Sequence, residues 1–224
     1  MKLFRIIAPA VLLLSLAAAG GELFWNGRPL PIRYADAINF PVYRWPRTLL
    51  SYPVRFAPGT DLAKLVLKDA AGKPVPVQWS QVMAESATLH FFGDLPSGAE
   101  RNFTLEAGTP ASAPKFDAIQ LRLPEARGFA PGETVPGPFA GLRIGDGGWI
   151  GESVIESPKL AVKSLKRATL ENGPLFRTEQ LTYEFANGGV YRVTLRIVAG
   201  YDFFDFDEEM EFKIVGSTEA NSLQ

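Results

Sequence analysis

Gln180-Leu181-Thr182-Tyr183-Glu184-Phe185-Ala186-Asn187-Gly188-Gly189-Val190-Tyr191-Arg192-Val193-Thr194-Leu195-Arg196-Ile197 is the stretch whose reading decides the fold. Leu181, Tyr183 and Phe185 alternate with Gln180, Thr182 and Glu184, and Tyr191, Val193, Leu195 and Ile197 alternate with Arg192, Thr194 and Arg196. A period of two is that of a strand with one face in a core. Extended outward, the segment from Glu171 to Ile214 reads as three successive antiparallel strands without a helix. Such a meander has an apolar face that needs a covering layer. The sequence leads us to expect that layer to come from material outside this chain.

Register follows from the rule that the apolar residues share a face, because a one-residue slip turns them all outward. A two-residue Asn187-Gly188 loop pairs Tyr183 with Arg192 and mixes the faces. A three-residue loop, Asn187-Gly188-Gly189, pairs Phe185 with Tyr191, Tyr183 with Val193, Leu181 with Leu195 and Glu184 with Arg192, with a glycine in the left-handed region. The next turn, at Gly200-Tyr201, sets Ile197 against Phe204, Leu195 against Phe206, Tyr191 against Met210, Arg196 against Asp205 and Arg192 against Glu209.

Upstream, Leu49–Phe56, Leu62–Lys68, Val75–Ser80, Thr88–Phe92 and Asn102–Glu106 are short strand-like runs between turn residues, which suggests a small β-sandwich over residues 48–110. A Pro/Ala/Ser-rich run from Gly108 to Lys115 places a linker at 111–117. A second β region, 118–224, has strands near Ala118–Leu123, Ala140–Ile144, Trp149–Glu156 and Leu160–Thr169 before the meander, and reads as part of a larger antiparallel sandwich. Residues 20–47 read as an extended lead-in. The fold class is therefore all-β. The 16 Phe, 18 Pro and 21 Gly fit short strands and tight turns.

Residues 1–19 are a separate object. Lys2 and Arg5 precede an apolar run from Ile6 to Leu16, and Ala17-Ala18-Ala19 supplies small residues for cleavage. That is the pattern of a secretory signal peptide, so a secreted or periplasmic location is expected, with no membrane attachment after cleavage. The chain has no cysteine, which removes thiol nucleophiles and thiolate metal ligands. A formal net charge of −1 gives no electrostatic footprint for nucleic acid. No cofactor or metal is called for.

Three residues are candidates for contact with a saccharide: Trp149, Glu208 and Arg177. Trp149 follows Gly145-Asp146-Gly147-Gly148, a run that opens no helix and so reads as a hairpin turn, not a phosphate loop. Its indole offers a flat apolar face to a sugar ring, or else simply packs. Glu208 breaks the pattern: it falls on the apolar face between Phe206 and Met210, opposite Val193. A carboxylate there lines a groove, returns to solvent through a strand-end bulge, or pairs with a group such as Arg177. The run Asp202, Asp205, Asp207, Glu208, Glu209, Glu211 has alternating spacing and no ion-wrapping turn, so it reads as a salt-bridged face before a calcium site. His90, the only histidine, reads as structural or surface. Asn102-Phe103-Thr104 fits the glycosylation triplet by chance, inside a strand.

Two stretches carry a resemblance. One is Val54-Arg55-Phe56-Ala57-Pro58-Gly59-Thr60-Asp61 through Asp69-Ala70-Ala71-Gly72-Lys73-Pro74-Val75-Pro76-Val77-Gln78 to Asp94-Leu95-Pro96-Ser97-Gly98. The other is Glu171-Asn172-Gly173-Pro174-Leu175 through Tyr183-Glu184-Phe185 and Gly189-Val190-Tyr191-Arg192-Val193 to Glu208. Across about residues 48–212 the chain resembles the N-terminal β-sandwich region of exo-acting rhamnogalacturonan lyases and related secreted polysaccharide-degrading enzymes. The resemblance implies pectic polysaccharide as a partner and a helical catalytic domain beyond this chain. It implies β-elimination for the whole enzyme, with a basic side chain abstracting the proton beside the uronate carboxylate. No catalytic residue of that family matches a position here, so this chain alone is expected to be inactive. The alternatives are a free-standing carbohydrate-binding or adhesion module and, less well supported, a mutarotase-type sugar-modifying sandwich.

Overall fold

The computed structural model describes residues 23–211 except 38, 40, 41, 43 and 157–160; the signal-like segment 1–19, Leu160 and Ile214 lie outside the described residues. The strands are β1 (Leu23–Trp25), β2 (Leu30–Ala35), β3 (Trp45–Phe56), β4 (Leu65–Asp69), β5 (Pro74–Val75), β6 (Val77–Ser80), β7 (Ser86–Leu95), β8 (Glu100–Ala107) and β9 (Ile119–Arg122). They continue with β10 (Arg127–Gly128), β11 (Val135–Pro136), β12 (Gly141–Ile144), β13 (Val154–Ile155), β14 (Val162–Asn172), β15 (Phe176–Phe185), β16 (Val190–Val198) and β17 (Phe204–Glu211). The protein is all-β. Among the described residues no helix is long and apolar enough to cross a membrane.

The chain divides into two units, one of residues up to Val75 with Trp79–Pro110, the other of Pro76–Gln78 with the residues from Ala111 onward. The first unit is built on two four-stranded sheets, ordered β1-β3-β7-β6 and β2-β8-β4-β5. Tyr52, Val54 and Phe56 of β3 are buried while Ser51, Pro53 and Arg55 between them are exposed, the alternation of a half-buried strand. An aromatic chain runs through the core: Tyr52 stacks on Phe91 at 5.6 Å, Phe91 meets Phe103 at 4.9 Å, and Phe103 stacks on Tyr34 at 5.8 Å. The Phe91–Phe103 contact joins one sheet to the other. The lead-in segment supplies β1, β2 and the first residues of β3. Leu62–Lys64, expected to begin a strand, is a 3-10 turn, because the Asp61 carboxylate accepts from the Ala63 amide and caps it.

The second unit contains the meander. Its five-stranded sheet is ordered β10-β14-β15-β16-β17, with small ribbons β9/β12 and β11/β13. The β16–β17 register is the expected one in every pair, from Ile197 with Phe204 to Tyr191 with Met210. The β15–β16 register differs by two residues: Tyr183 pairs with Tyr191, Leu181 with Val193 and Thr182 with Arg192. The loop has three residues as expected, but they are Ala186-Asn187-Gly188. The Gly188 amide donates to Phe185 O, and the Phe185 amide donates to Gly189 O. Gly188 takes the left-handed φ of 81°. A slip of two keeps every side chain on its face, so the alternation that excluded the two-residue loop cannot detect it.

One expectation is corrected by the packing. Over β14–β16 the apolar face (Leu165, Leu181, Tyr183, Phe185, Tyr191, Val193, Leu195) is covered from within the chain by Val135, Leu121, Leu123, Phe129, Phe139 and Ile155. Tyr183 also anchors that layer by donating its hydroxyl to Pro136 O at 3.1 Å. Among the described residues the last strand is the least covered: Phe139 packs on Phe204 and Phe206, yet Phe206 stays 38% and Met210 50% exposed. In the same unit, Gln78 Oε1 accepts from the amides of Leu175 and Phe176, both at 2.9 Å. Gly173 lies so close that a Cβ would sit 2.1 Å from Gln78 Cδ.

Candidate functional site

The β9/β12 ribbon pairs Arg122 with Gly141 and Gln120 with Arg143. Alternation puts these four residues on one face, with Ile119, Leu121, Leu142 and Ile144 on the other. Beyond β12 the chain turns back sharply. Gly145, with φ 52°, sits in a turn closed by Gly147 N–H to Ile144 O, and Leu142 and Ile150 exchange backbone hydrogen bonds of 2.7 and 2.9 Å. The glycine run is thus a hairpin turn, as read from the sequence. Of the expected strand Trp149–Glu156, only the Ile150 bridge and β13 are regular.

This turn returns Trp149 over Gly141, where a Cβ would meet the indole Cε3 at 3.0 Å. Glycine lets the ring lie against the strand. Two guanidiniums lie over the indole: Arg122 Cζ is 4.2 Å and Arg143 Cζ 5.2 Å from the ring centroid. Arg143 is aimed by a hydrogen bond to Gln120 Oε1. Trp149 remains 38% exposed. No ion pair among the described residues involves Arg122 or Arg143, so two positive charges lie over an aromatic ring that stays partly exposed. An indole face suits the C–H side of a sugar ring, and a guanidinium matches a carboxylate with two parallel N–H bonds. The sequence reading found Trp149 but missed Arg122 and Arg143. The signal was there: Arg122 and Arg143 lie on the predicted strands Ala118–Leu123 and Ala140–Ile144, and pairing those strands brings them to one face.

Glu208 and Arg177 lie elsewhere on the sheet. Glu208 is exposed on the open face of β17, opposite Val193, and no bulge interrupts the pairing there. Its carboxylate accepts a hydrogen bond from the Tyr191 hydroxyl, and the Tyr191 phenol is pushed well above the ordinary range by burial first and by Glu208 next. Arg177 is opposite Ile197, four residues along the strand from Val193, or about 13 Å at ~3.3 Å per residue. It covers the Phe116 ring at 4.4 Å. Arg177 is therefore not the partner of Glu208. The three candidate residues thus belong to three separate surroundings.

The acidic strand does form a charged face. Arg192 bonds Glu209 at 2.9 Å and Glu211 at 2.8 Å, while Arg196, opposite Asp205 as expected, covers the Phe176 ring at 4.0 Å. Glu184, displaced by the register change, instead takes Ser164 and Lys166. No group of three or more potential metal ligands is found among the described residues. His90 is 6% exposed and both ring nitrogens are satisfied by serines, Nδ1 with Ser51 Oγ at 2.8 Å and Nε2 with Ser80 Oγ at 2.7 Å. That is a structural histidine. Comparison of the chain with family models, characterised proteins and solved structures gave no match.

Proposed function

We propose that this chain is a non-catalytic β-sandwich portion of an exported polysaccharide-degrading system, one that holds acidic saccharide on the Trp149 platform. The supporting observation is the partly exposed indole lying on Gly141 with Arg122 and Arg143 over its ring. The arginines make the site selective: a uronate carboxylate gains charge-assisted bonds that a neutral ring does not. The resemblance to the front end of rhamnogalacturonan lyases points to the same substrate class. Affinity electrophoresis in gels cast with pectate or with neutral polysaccharide tests this reading. Retardation by pectate only, weakened by salt, is expected; equal migration in all gels refutes it.

Two forms of this reading differ in what surrounds the sandwich. The covering of β14–β16 from within the chain favours a free-standing carbohydrate-binding module. The β17 strand, with Met210 half exposed among the described residues, favours a portion that abuts further protein in a lyase-like enzyme. Neither form assigns chemistry to this chain, and formation of unsaturated uronate by the purified chain would contradict both.

A further inference from the structure

Three asparagines are followed by glycine: Asn26-Gly27, Asn172-Gly173 and Asn187-Gly188. An asparagine so placed is prone to lose its side-chain amide, because the next backbone nitrogen can attack the side-chain carbon and glycine carries no Cβ to hinder the approach. The attacking nitrogen must shed its proton, so a hydrogen bond that holds its N–H protects the pair. Two of the three are held in this way. The Gly173 amide donates to Phe176 O at 3.1 Å in the β14–β15 turn, and the Gly188 amide donates to Phe185 O at 2.9 Å in the β15–β16 loop.

Asn26 and Gly27 lie in the turn between β1 and β2, both exposed, and among the described residues the Gly27 amide donates to nothing. Gly27 takes a φ of 89°, and a Cβ built on it would meet nothing within 4 Å. The Asn26 side chain bends back on the chain that follows: its Oδ1 accepts from the Arg28 amide at 3.2 Å, which draws electrons from Cγ. Asn187 makes the same turn, its Oδ1 accepting from the Gly189 amide at 2.9 Å. The two sites therefore share a polarised side-chain carbonyl and differ in the nucleophile, which is free at Gly27 and held at Gly188.

We propose that, of the three, Asn26 is the site of spontaneous deamidation in the folded chain, with Asn172 and Asn187 protected by the backbone hydrogen bonds of the glycines after them. Gly27 N gives its proton to base and bonds to Asn26 Cγ; the Cγ–Nδ2 bond breaks and ammonia leaves. Water then opens the resulting succinimide to aspartate or isoaspartate. Either product sets a new negative charge near Arg28, and isoaspartate lengthens the backbone of the turn by one methylene. The test is incubation of the full chain in mildly alkaline buffer, followed over days by peptide mapping with mass spectrometry and by enzymatic methylation of isoaspartate. Conversion at Asn26 is expected to outrun that at Asn172 and Asn187 by at least about fivefold, the worth of one hydrogen bond, and Asn26→Gln should remove the earliest product. In guanidinium chloride the three sites are expected to convert at similar rates, since the protecting bonds are gone. The proposal is overturned if the folded chain converts Asn172 or Asn187 as fast as Asn26, if no site converts, or if the preference for Asn26 persists undiminished in denaturant.

Discussion

At the scale of single residues, glycine and histidine carry the sharpest consequences. Gly93→Ala drives a methyl group into the Tyr34 hydroxyl, so it should destabilise the first unit by about 1–3 kcal/mol, as overpacking does. Tyr34→Phe in the same chain should recover part of that loss, since Leu50 Cδ1 at 2.8 Å still crowds the methyl, and denaturant unfolding of the two single variants and the double variant measures the coupling. Ser80→Ala removes a hydrogen bond from a buried imidazole, at a cost of about 0.5–1.5 kcal/mol by the same measurement. His90 shows how far residue identity alone reaches. Its solitude in a cysteine-free chain pointed to a structural role, but the two serines that satisfy it come from strands no local pattern connects. Trp149 was legible as a surface aromatic; its arginine neighbours became visible only once β9 and β12 were paired.

At the scale of elements, turns decide register, and they do so with unequal clarity. The β16–β17 register was readable because Gly200, with φ 77°, sits in a short turn and only one pairing fits it. The β15–β16 register was not, because Asn187, Gly188 and Gly189 offer two three-residue loops that preserve the same faces. The structure selects the loop in which the Asn187 side chain accepts from the Gly189 amide at 2.9 Å and Gly188 takes the left-handed conformation. Gly188→Ala should therefore cost about 1 kcal/mol, from forcing a Cβ into that region. Gly189→Ala faces a different obstacle: its Cβ would lie 3.1 Å from Asn187 Oδ1 and from Glu211 O, which crowds the β17 edge. Thermal unfolding of the two variants distinguishes backbone strain from crowding when each is repeated with Asn187→Ala, which relieves only the crowding on Oδ1. The charged face followed the same logic. Arg192 found its carboxylates because register fixed them, while Arg196 turned to the Phe176 ring, a contact with no signature in strand alternation.

At the scale of the whole molecule, the all-β class and the alternating faces were legible from hydrophobic period and turn residues. The covering of the meander was not, since Leu121, Phe129, Val135, Phe139 and Ile155 come from short, irregular segments whose apolar residues show no period. Stability should follow pH at both ends. Burial raises the Tyr34 phenol from 10.0 to about 12, and raises Tyr52, Tyr183 and Tyr191 as well. The unfolded chain therefore loses phenolic protons first, and stability should fall as pH rises from about 10 to about 12. Glu100, Glu133 and Glu184 are held below their ordinary value of 4.5, chiefly by the Asn102 amide, the Ala130 backbone N–H and Lys166 respectively. Their contribution is complete above that value and should be lost as pH falls through the lowered range; denaturant midpoints across pH check both limbs. The saccharide reading itself meets its most direct test in calorimetric titration of an oligogalacturonide into the unaltered chain and into Trp149→Ala. The account predicts salt-sensitive binding that the substitution abolishes, whereas no heat from the unaltered chain, or equal affinity in the variant, would contradict it.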